Sequence, residues 1–93
     1  MTILDLSHKG LKELKEIPEG TTKLIVSFNQ LTKLPKLPKS MVRLYCDYNQ
    51  ITELPALPDK LEDLECTGNP LRKLPKLPKG IKPSYGELLN KTV

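Results

Sequence analysis

Apolar residues return along this chain with a period of twenty residues. Written in rows of twenty, the sequence has six columns that are apolar in nearly every row. Two of these columns are Leu4, Leu24, Leu44, Leu64 and Leu6, Val26, Cys46, Cys66. A fixed period of this kind indicates units that bury a shared apolar face by stacking on one another, which predicts a solenoid.

Each row contains one short segment in which inward apolar residues alternate with residues that are mostly polar. In the third row, Leu44 and Cys46 alternate with Arg43, Tyr45 and Asp47, a period of two that is typical of a strand with one buried face. Twenty residues leave no room for a crossover helix. The strands are therefore expected to stack as a parallel ladder, and the chain to return in an extended conformation set by proline.

A column of asparagines, Asn29, Asn49 and Asn69, stands where the chain leaves each strand. An inward amide at this position can bond backbone groups that the turn would otherwise leave unpaired. We therefore expect these three side chains to be buried and hydrogen-bonded to the backbone.

The fourth row, Leu61-x-x-Leu64-x-Cys66-x-x-Asn69-x-Leu71, resembles the signature of the leucine-rich repeat. The Leu-Pro-x-Leu-Pro segments resemble the short twenty-residue type found in bacterial effectors and some viral proteins. The rows depart from the pattern at Lys9, where Asn is expected, and at Ser84, where a fifth row would have Leu. The implied fold class is a leucine-rich repeat solenoid, β-rich, with a parallel strand ladder on one face and extended polyproline-II segments on the other.

The rows also predict the domain organisation. Repeats of about 1–20, 21–40, 41–60 and 61–80 form one solenoid over residues 1–82, and residues 83–93 form a C-terminal capping tail. Within this tail, Leu88 and Leu89 are expected to cover the last rung. At the other end, Ile3 to Leu6 would form an open edge with nothing before Met1 to shield it, so a homodimer through this N-terminal edge is one expectation. A monomer with a frayed first rung is the alternative.

The hydropathy of the chain is informative about the cellular location of the protein. The chain has no secretory apolar segment at its start and no stretch long enough to cross a membrane. We expect a cytoplasmic protein without membrane contact. Delivery of an effector by an export system that reads no cleavable signal would make host cytoplasm the alternative.

The net charge of +4 raises the question of anionic partners. Opposite charges alternate down two columns, which are Glu13, Lys33, Glu53, Lys73 and Glu19, Lys39, Asp59, Lys79. This alternation avoids like-charge ladders and argues against a continuous stripe that follows phosphates. We therefore do not expect nucleic acid as the partner, although the lysine clusters of rows two and four keep an anion-binding alternative open.

Candidate chemistry is sparse. His8 is the only histidine, and it has no second in-register polar partner of the kind that nucleophilic catalysis needs. Cys46 and Cys66 lie in an otherwise apolar column and are expected to be buried, reduced thiols, in preference to a disulfide or metal ligands. We predict that the protein is not an enzyme and uses no metal or cofactor.

The outward columns of the strands are the candidate site, since the exposed strand face is the concave binding surface in the family that the repeats resemble. Tyr45 lies between two inward residues and so must point outward, and Tyr and Arg near the centre of a face are typical of binding hot spots. Phe28 and Tyr48 have an alternative role, in which they close the turn by packing above the core. The predicted protein-binding residues are Tyr45, Arg43, Phe28, Tyr48, Ile25, Asp47, Lys23 and Glu65.

The sequence thus predicts a protein–protein interaction module that binds an unidentified partner protein through its concave strand face. The expected setting is a viral or bacterial factor that acts on a host protein. Two alternatives of different classes stay open: an anion or nucleic-acid binder that uses the lysine clusters, and a structural repeat protein that self-associates.

Overall fold

The computed structural model of the chain describes the backbone of residues 2–84 and the side chains of residues 2–81. It contains five strands in one parallel sheet, arranged in chain order. They are β1 Thr2–Asp5, β2 Thr21–Ile25, β3 Arg43–Tyr45, β4 Asp63–Glu65 and β5 Lys82–Ser84. One strand from each of the four rows and a parallel ladder were predicted, and both predictions are confirmed.

The pairing register follows the sequence period through the middle of the sheet. Lys23 lies opposite Arg43, and Arg43 lies opposite Asp63. The last step is one residue shorter, because Asp63 lies opposite Lys82 and Leu64 lies opposite Pro83. Ser84, where the pattern of twenty would have a leucine opposite Leu64, therefore pairs with Glu65.

Strand β5 was not expected from the rows. It carries the ladder to Ser84, into the segment 83–93 for which we predicted a cap. The capping residues Leu88 and Leu89 lie outside the described residues, so both the cap and the division at residue 82 stay predictions. Among residues 2–84, no helix has the length and hydropathy that a membrane crossing requires.

The core lies between the strand ladder and the return segments. Leu24, Leu44 and Leu64 are fully enclosed at its centre, as the apolar column predicted. In the first row Ile17 is buried, whereas the leucines are only partly buried, and so are Leu74 and Leu77. These last two leucines lie in apolar columns of the sequence; they pack against the core but keep some exposure.

The asparagine column is buried and bonded to the backbone, which confirms that prediction. Asn49 Nδ2 donates to the carbonyl oxygens of Val26 and Cys46, each at 3.0 Å. Its Oδ1 accepts the backbone N–H of Leu31 at 3.0 Å. Asn29 and Asn69 make the equivalent bonds one row earlier and one row later. Each amide thus links its own row to the row before it.

The last proline of each of the first three repeats opens a tight turn that leads into the next strand. The backbone N–H groups of Thr21, Met41 and Leu61 donate to the carbonyl oxygens of Pro18, Pro38 and Pro58. Thr21 interrupts an apolar column, yet it is fully buried. Its hydroxyl donates to the Pro18 carbonyl at 2.8 Å, so the buried polar atom has a partner and the substitution is tolerated.

Candidate protein-binding face

The outward residues of β1 to β4 form a continuous surface, which we call the strand face. Register places them in two parallel lines: Ile3, Lys23, Arg43, Asp63 and Asp5, Ile25, Tyr45, Glu65. Their inward neighbours Leu24, Leu44 and Leu64 are fully buried, and successive strand side chains point to opposite sides of a sheet. The structure therefore brings together five predicted site residues, Lys23, Ile25, Arg43, Tyr45 and Glu65.

Two cross-strand contacts hold the centre of the strand face. Arg43 Nε lies 3.3 Å from Asp63 Oδ2, and Lys23 Nζ lies 5.4 Å from the centroid of the Tyr45 ring. Tyr45 is half-buried, although we expected it to be fully exposed. Its ring is therefore restricted before any partner arrives, and ordering it on binding costs less side-chain entropy.

A shallow depression lies beside these residues on the strand face. It has a volume of about 250 Å³ and is lined by Ile3, Thr22, Lys23, Val42 and Arg43. Ile3 is 55% exposed, unusually high for a large aliphatic side chain in this chain. The depression therefore combines aliphatic walls with two cations. Sequence reasoning had named Lys23 and Arg43 but not Ile3, even though Ile3 shares their column.

Three aromatic rings form a second feature beyond the ends of the strands, which we call the aromatic column. The rings of His8 and Phe28 stack with centroids 4.6 Å apart, and those of Phe28 and Tyr48 with centroids 4.8 Å apart. All three residues have left-handed backbones, with φ of 55°, 58° and 58°. This conformation costs non-glycine residues about 1–2 kcal/mol each, and each stacked pair returns about 0.5–1.5 kcal/mol.

The predicted cluster of Phe28, Tyr45 and Tyr48 is thus two separate groups. Phe28 stacks with both His8 and Tyr48, whereas Tyr45 lies on strand β3 under Lys23. Phe28 and Tyr48 are 48% and 50% exposed, so neither packs over the core. His8 shares a column of the sequence with Phe28 and Tyr48, and this shared column was the signal for its stacking.

The aromatic column ends over a glycine. Gly68 occupies the same position in the fourth row and also has a positive φ, of 79°. A Cβ atom built on it would lie 2.5 Å from Cδ1 of Tyr48. The Tyr48 ring therefore lies directly against the Gly68 backbone, and only glycine fits beneath it.

Short polar contacts lie near the ends of the strands. Asp47, a predicted site residue, accepts a hydrogen bond from the Ser27 hydroxyl at 2.6 Å, and Ser27 is buried. Ser27 and Asp47 share a polar column of the sequence, and this bond links their two rows. Asp5 accepts from both the hydroxyl and the backbone N–H of Ser7, and these bonds lower the pKa of its carboxyl group.

Both cysteines are free and buried, as predicted. Burial raises the pKa of the Cys66 thiol to about 12. Burial also raises the pKa of the Cys46 thiol well above its usual range, with a further contribution from Cys66. Thiolates are the reactive form of cysteine, so neither residue is suited to act as a nucleophile at neutral pH. Residues 2–81 contain no group of three or more His, Cys, Asp or Glu side chains placed to hold a metal ion.

The return side, which is formed by the extended segments that lead from one strand to the next, shows the charge alternation that the columns predicted. Lys73 Nζ lies 3.3 Å from Glu53 Oε2, and the two backbones form an isolated parallel bridge. Both side chains are more than half exposed, so the pair contributes about 0–1 kcal/mol. Its main effect is to intersperse acids among the return-side lysines.

Comparison with known proteins identifies the fold. No family model and no curated protein is similar enough to this chain to count as a match. Among solved structures, the leucine-rich repeat domain of a Shigella effector is similar with a TM-score of 0.84 and 41% sequence identity. The similarity covers 87% of this chain and 37% of that one, so this chain spans much less than half of the Shigella domain.

The predicted leucine-rich repeat solenoid is therefore confirmed, and its similarity is to a repeat domain of the bacterial-effector type. The narrower assignment to the twenty-residue Leu-Pro-x-Leu-Pro type stays a prediction.

Proposed function

We propose that this chain is a protein-interaction module that binds a partner protein through the strand face. The observation that carries the proposal is the centre of that face, where Arg43 and Tyr45 are held by contacts from neighbouring strands. Hot spots are enriched in Tyr and Arg and lie near the centre of an interface. The leucine-rich repeat fold of an effector domain supports the same general role.

The charge on the strand face favours a protein over a nucleic acid. Lys23 and Arg43 lie on β2 and β3, whereas Asp63 and Glu65 lie on β4. A phosphate backbone needs a continuous run of cations, and this face presents both signs within four neighbouring strands. A protein surface can match both signs at once.

The proposal includes the setting in which the module works. We propose a bacterial or viral factor that acts on a host protein in the cytoplasm, without catalysis of its own. Self-association through β1, which lies at the end of the sheet order, is the alternative assembly. Sedimentation at several protein concentrations measures it directly.

Capture from host-cell lysate tests the proposal. Immobilised wild type is compared with Tyr45→Ala and Arg43→Ala, and Lys36→Ala serves as a matched control because Lys36 is exposed on the return side. We expect both strand-face variants to lose the captured protein and the control to retain it. Melting temperatures are measured for all variants, so that loss of binding is separated from loss of folding.

Two results would count against the proposal. Retention of the partner by both strand-face variants would place binding elsewhere on the molecule. Loss with Lys36→Ala, together with steep weakening by added salt, would favour the anion-binding alternative.

A further inference from the structure

The strand face has an ordered arrangement of charge beside an apolar depression. Ile3 and Val42 provide the aliphatic part of the depression, and Lys23 and Arg43 provide its charge. The next strand, β4, carries only acids on this face, Asp63 and Glu65. Along the line Ile3, Lys23, Arg43, Asp63, a ligand therefore meets an apolar residue first, two cations next and an acid last.

On the basis of the proposed function, we infer that the partner presents a carboxylate next to an aliphatic side chain. The aliphatic side chain enters the depression between Ile3 and Val42, and the carboxylate meets Lys23 and the neighbouring Arg43. The depression, at about 250 Å³, is large enough for an aliphatic side chain such as leucine. The chemical class of the ligand is thus an acidic, aliphatic peptide segment.

The charge of Lys23 is the main reason to expect a carboxylate on the partner. Within the described part of the chain its ammonium group contacts the Tyr45 ring, while the two ion pairs found there involve other cations. A ring face attracts an ammonium group but leaves its charge uncompensated. A purely apolar partner would bury that charge without a counterion, which is costly. A carboxylate on the partner would pair with the Lys23 ammonium group and so remove the cost of burying its charge.

Arg43 and Asp63 determine where that carboxylate can lie. The contact between Arg43 Nε and Asp63 Oδ2 at 3.3 Å holds the guanidinium group across β3 and β4. A partner carboxylate placed over β4 would be repelled by Asp63 and Glu65. Such like-charge contacts disfavour alternative positions of the partner on the strand face. The acidic residue of the partner is therefore restricted to β2 and β3.

The same features exclude a simple anion site. A free phosphate gains nothing from the aliphatic walls formed by Ile3 and Val42. Only a ligand that offers both an apolar group and a negative charge uses the whole depression.

Selection from a displayed library of short random peptides tests the inference. The library is selected on immobilised wild type and, in parallel, on the double variant Lys23→Glu with Arg43→Glu. The matched control is Lys36→Glu with Lys39→Glu, which makes the same charge change at two exposed return-side lysines. Circular dichroism confirms that each variant is folded before selection.

We expect the peptides enriched on wild type to carry Asp or Glu next to Leu, Ile, Val or Met. Synthetic copies should bind the Lys23→Glu, Arg43→Glu variant at least about tenfold more weakly, and the control variant about as well as wild type. Changing the peptide acid to its amide should weaken binding to wild type in the same way.

Three results would overturn the inference: enriched peptides without an acidic residue, equal binding to wild type and the charge-reversed variant, or no enrichment over the support. The first result, together with loss of binding in Tyr45→Ala, would leave the proposed function standing while the ligand class fails. Peptides that are insensitive to both Tyr45→Ala and charge reversal would contradict the two proposals together.

Discussion

Replacing Asn49 by alanine tests whether the asparagine column holds the repeats together. Asn49 is 2% exposed, and its amide makes three bonds of 3.0 Å to backbone groups in two rows, with a longer fourth bond to the Asp47 carbonyl at 3.3 Å. The Val26 and Cys46 carbonyls each keep a second donor, from Asn29 and Asn69 respectively. The Leu31 N–H loses its acceptor and is left buried in the core.

The expected loss of unfolding free energy follows from these hydrogen bonds. One orphaned buried N–H costs about 1–3 kcal/mol, and each of the two shared bonds contributes about 0.5–1.5 kcal/mol. The free energy of unfolding should therefore fall by about 2–6 kcal/mol. A domain of this length has roughly 5–14 kcal/mol in total, so the loss is a large share of its stability.

Urea denaturation followed by circular dichroism measures this loss, and Gln50→Ala is the matched control because Gln50 adjoins Asn49 and is exposed. Asn49→Asp keeps an oxygen for the Leu31 N–H but turns a second oxygen toward the Val26 and Cys46 carbonyls, so it should be at least as damaging. If Asn49→Ala lay within about 0.5 kcal/mol of Gln50→Ala, the amide would not support the backbone as argued.

Two further predictions concern the aromatic column and the cysteines. Gly68→Ala should cost more than Gly10→Ala in urea denaturation, because both glycines have positive φ but only a Cβ at Gly68 meets the Tyr48 ring; equal losses would contradict the close packing. Because burial raises the pKa of Cys66 to about 12, its stabilising contribution is complete below about pH 8.5 and is lost as pH rises toward 12. Stability should therefore fall more steeply with pH in wild type than in Cys66→Val, which copies Val26 of the same column; identical slopes would show that the thiol is not protected.

Much of the fold could be predicted because a fixed period determines which residues become neighbours. Because Leu24, Leu44 and Leu64 share a column, a parallel ladder aligns them. The positions of the asparagines in the fold then follow from the same period. The period fails at β5, where Pro83 and not Ser84 lies opposite Leu64. The fifth row has no apolar residue at either position to select the register, so the sequence pattern carried no signal there.

The candidate site was less predictable, because it depends on side-chain direction and backbone conformation. Columns placed Phe28 and Tyr48 near Tyr45, but these two residues have left-handed backbones, and their rings form a stack with His8 in which Phe28 is the middle ring. Bulky residues rarely adopt that conformation, and only Gly68 in the same column indicated it. The contact between Lys23 and the Tyr45 ring depends on side-chain positions that a column of residue types does not specify.

Side-chain footprinting of the chain with its captured partner tests the central claim most directly. Hydroxyl radicals label exposed side chains, and mass spectrometry compares the free and bound forms residue by residue. We predict that Tyr45 and Ile3, on the strand face, lose label on binding, while the exposed return-side residues Lys33 and Lys36 remain as reactive as before. Protection of the return-side lysines with unchanged labelling of Tyr45 would contradict the assignment of the strand face as the binding surface.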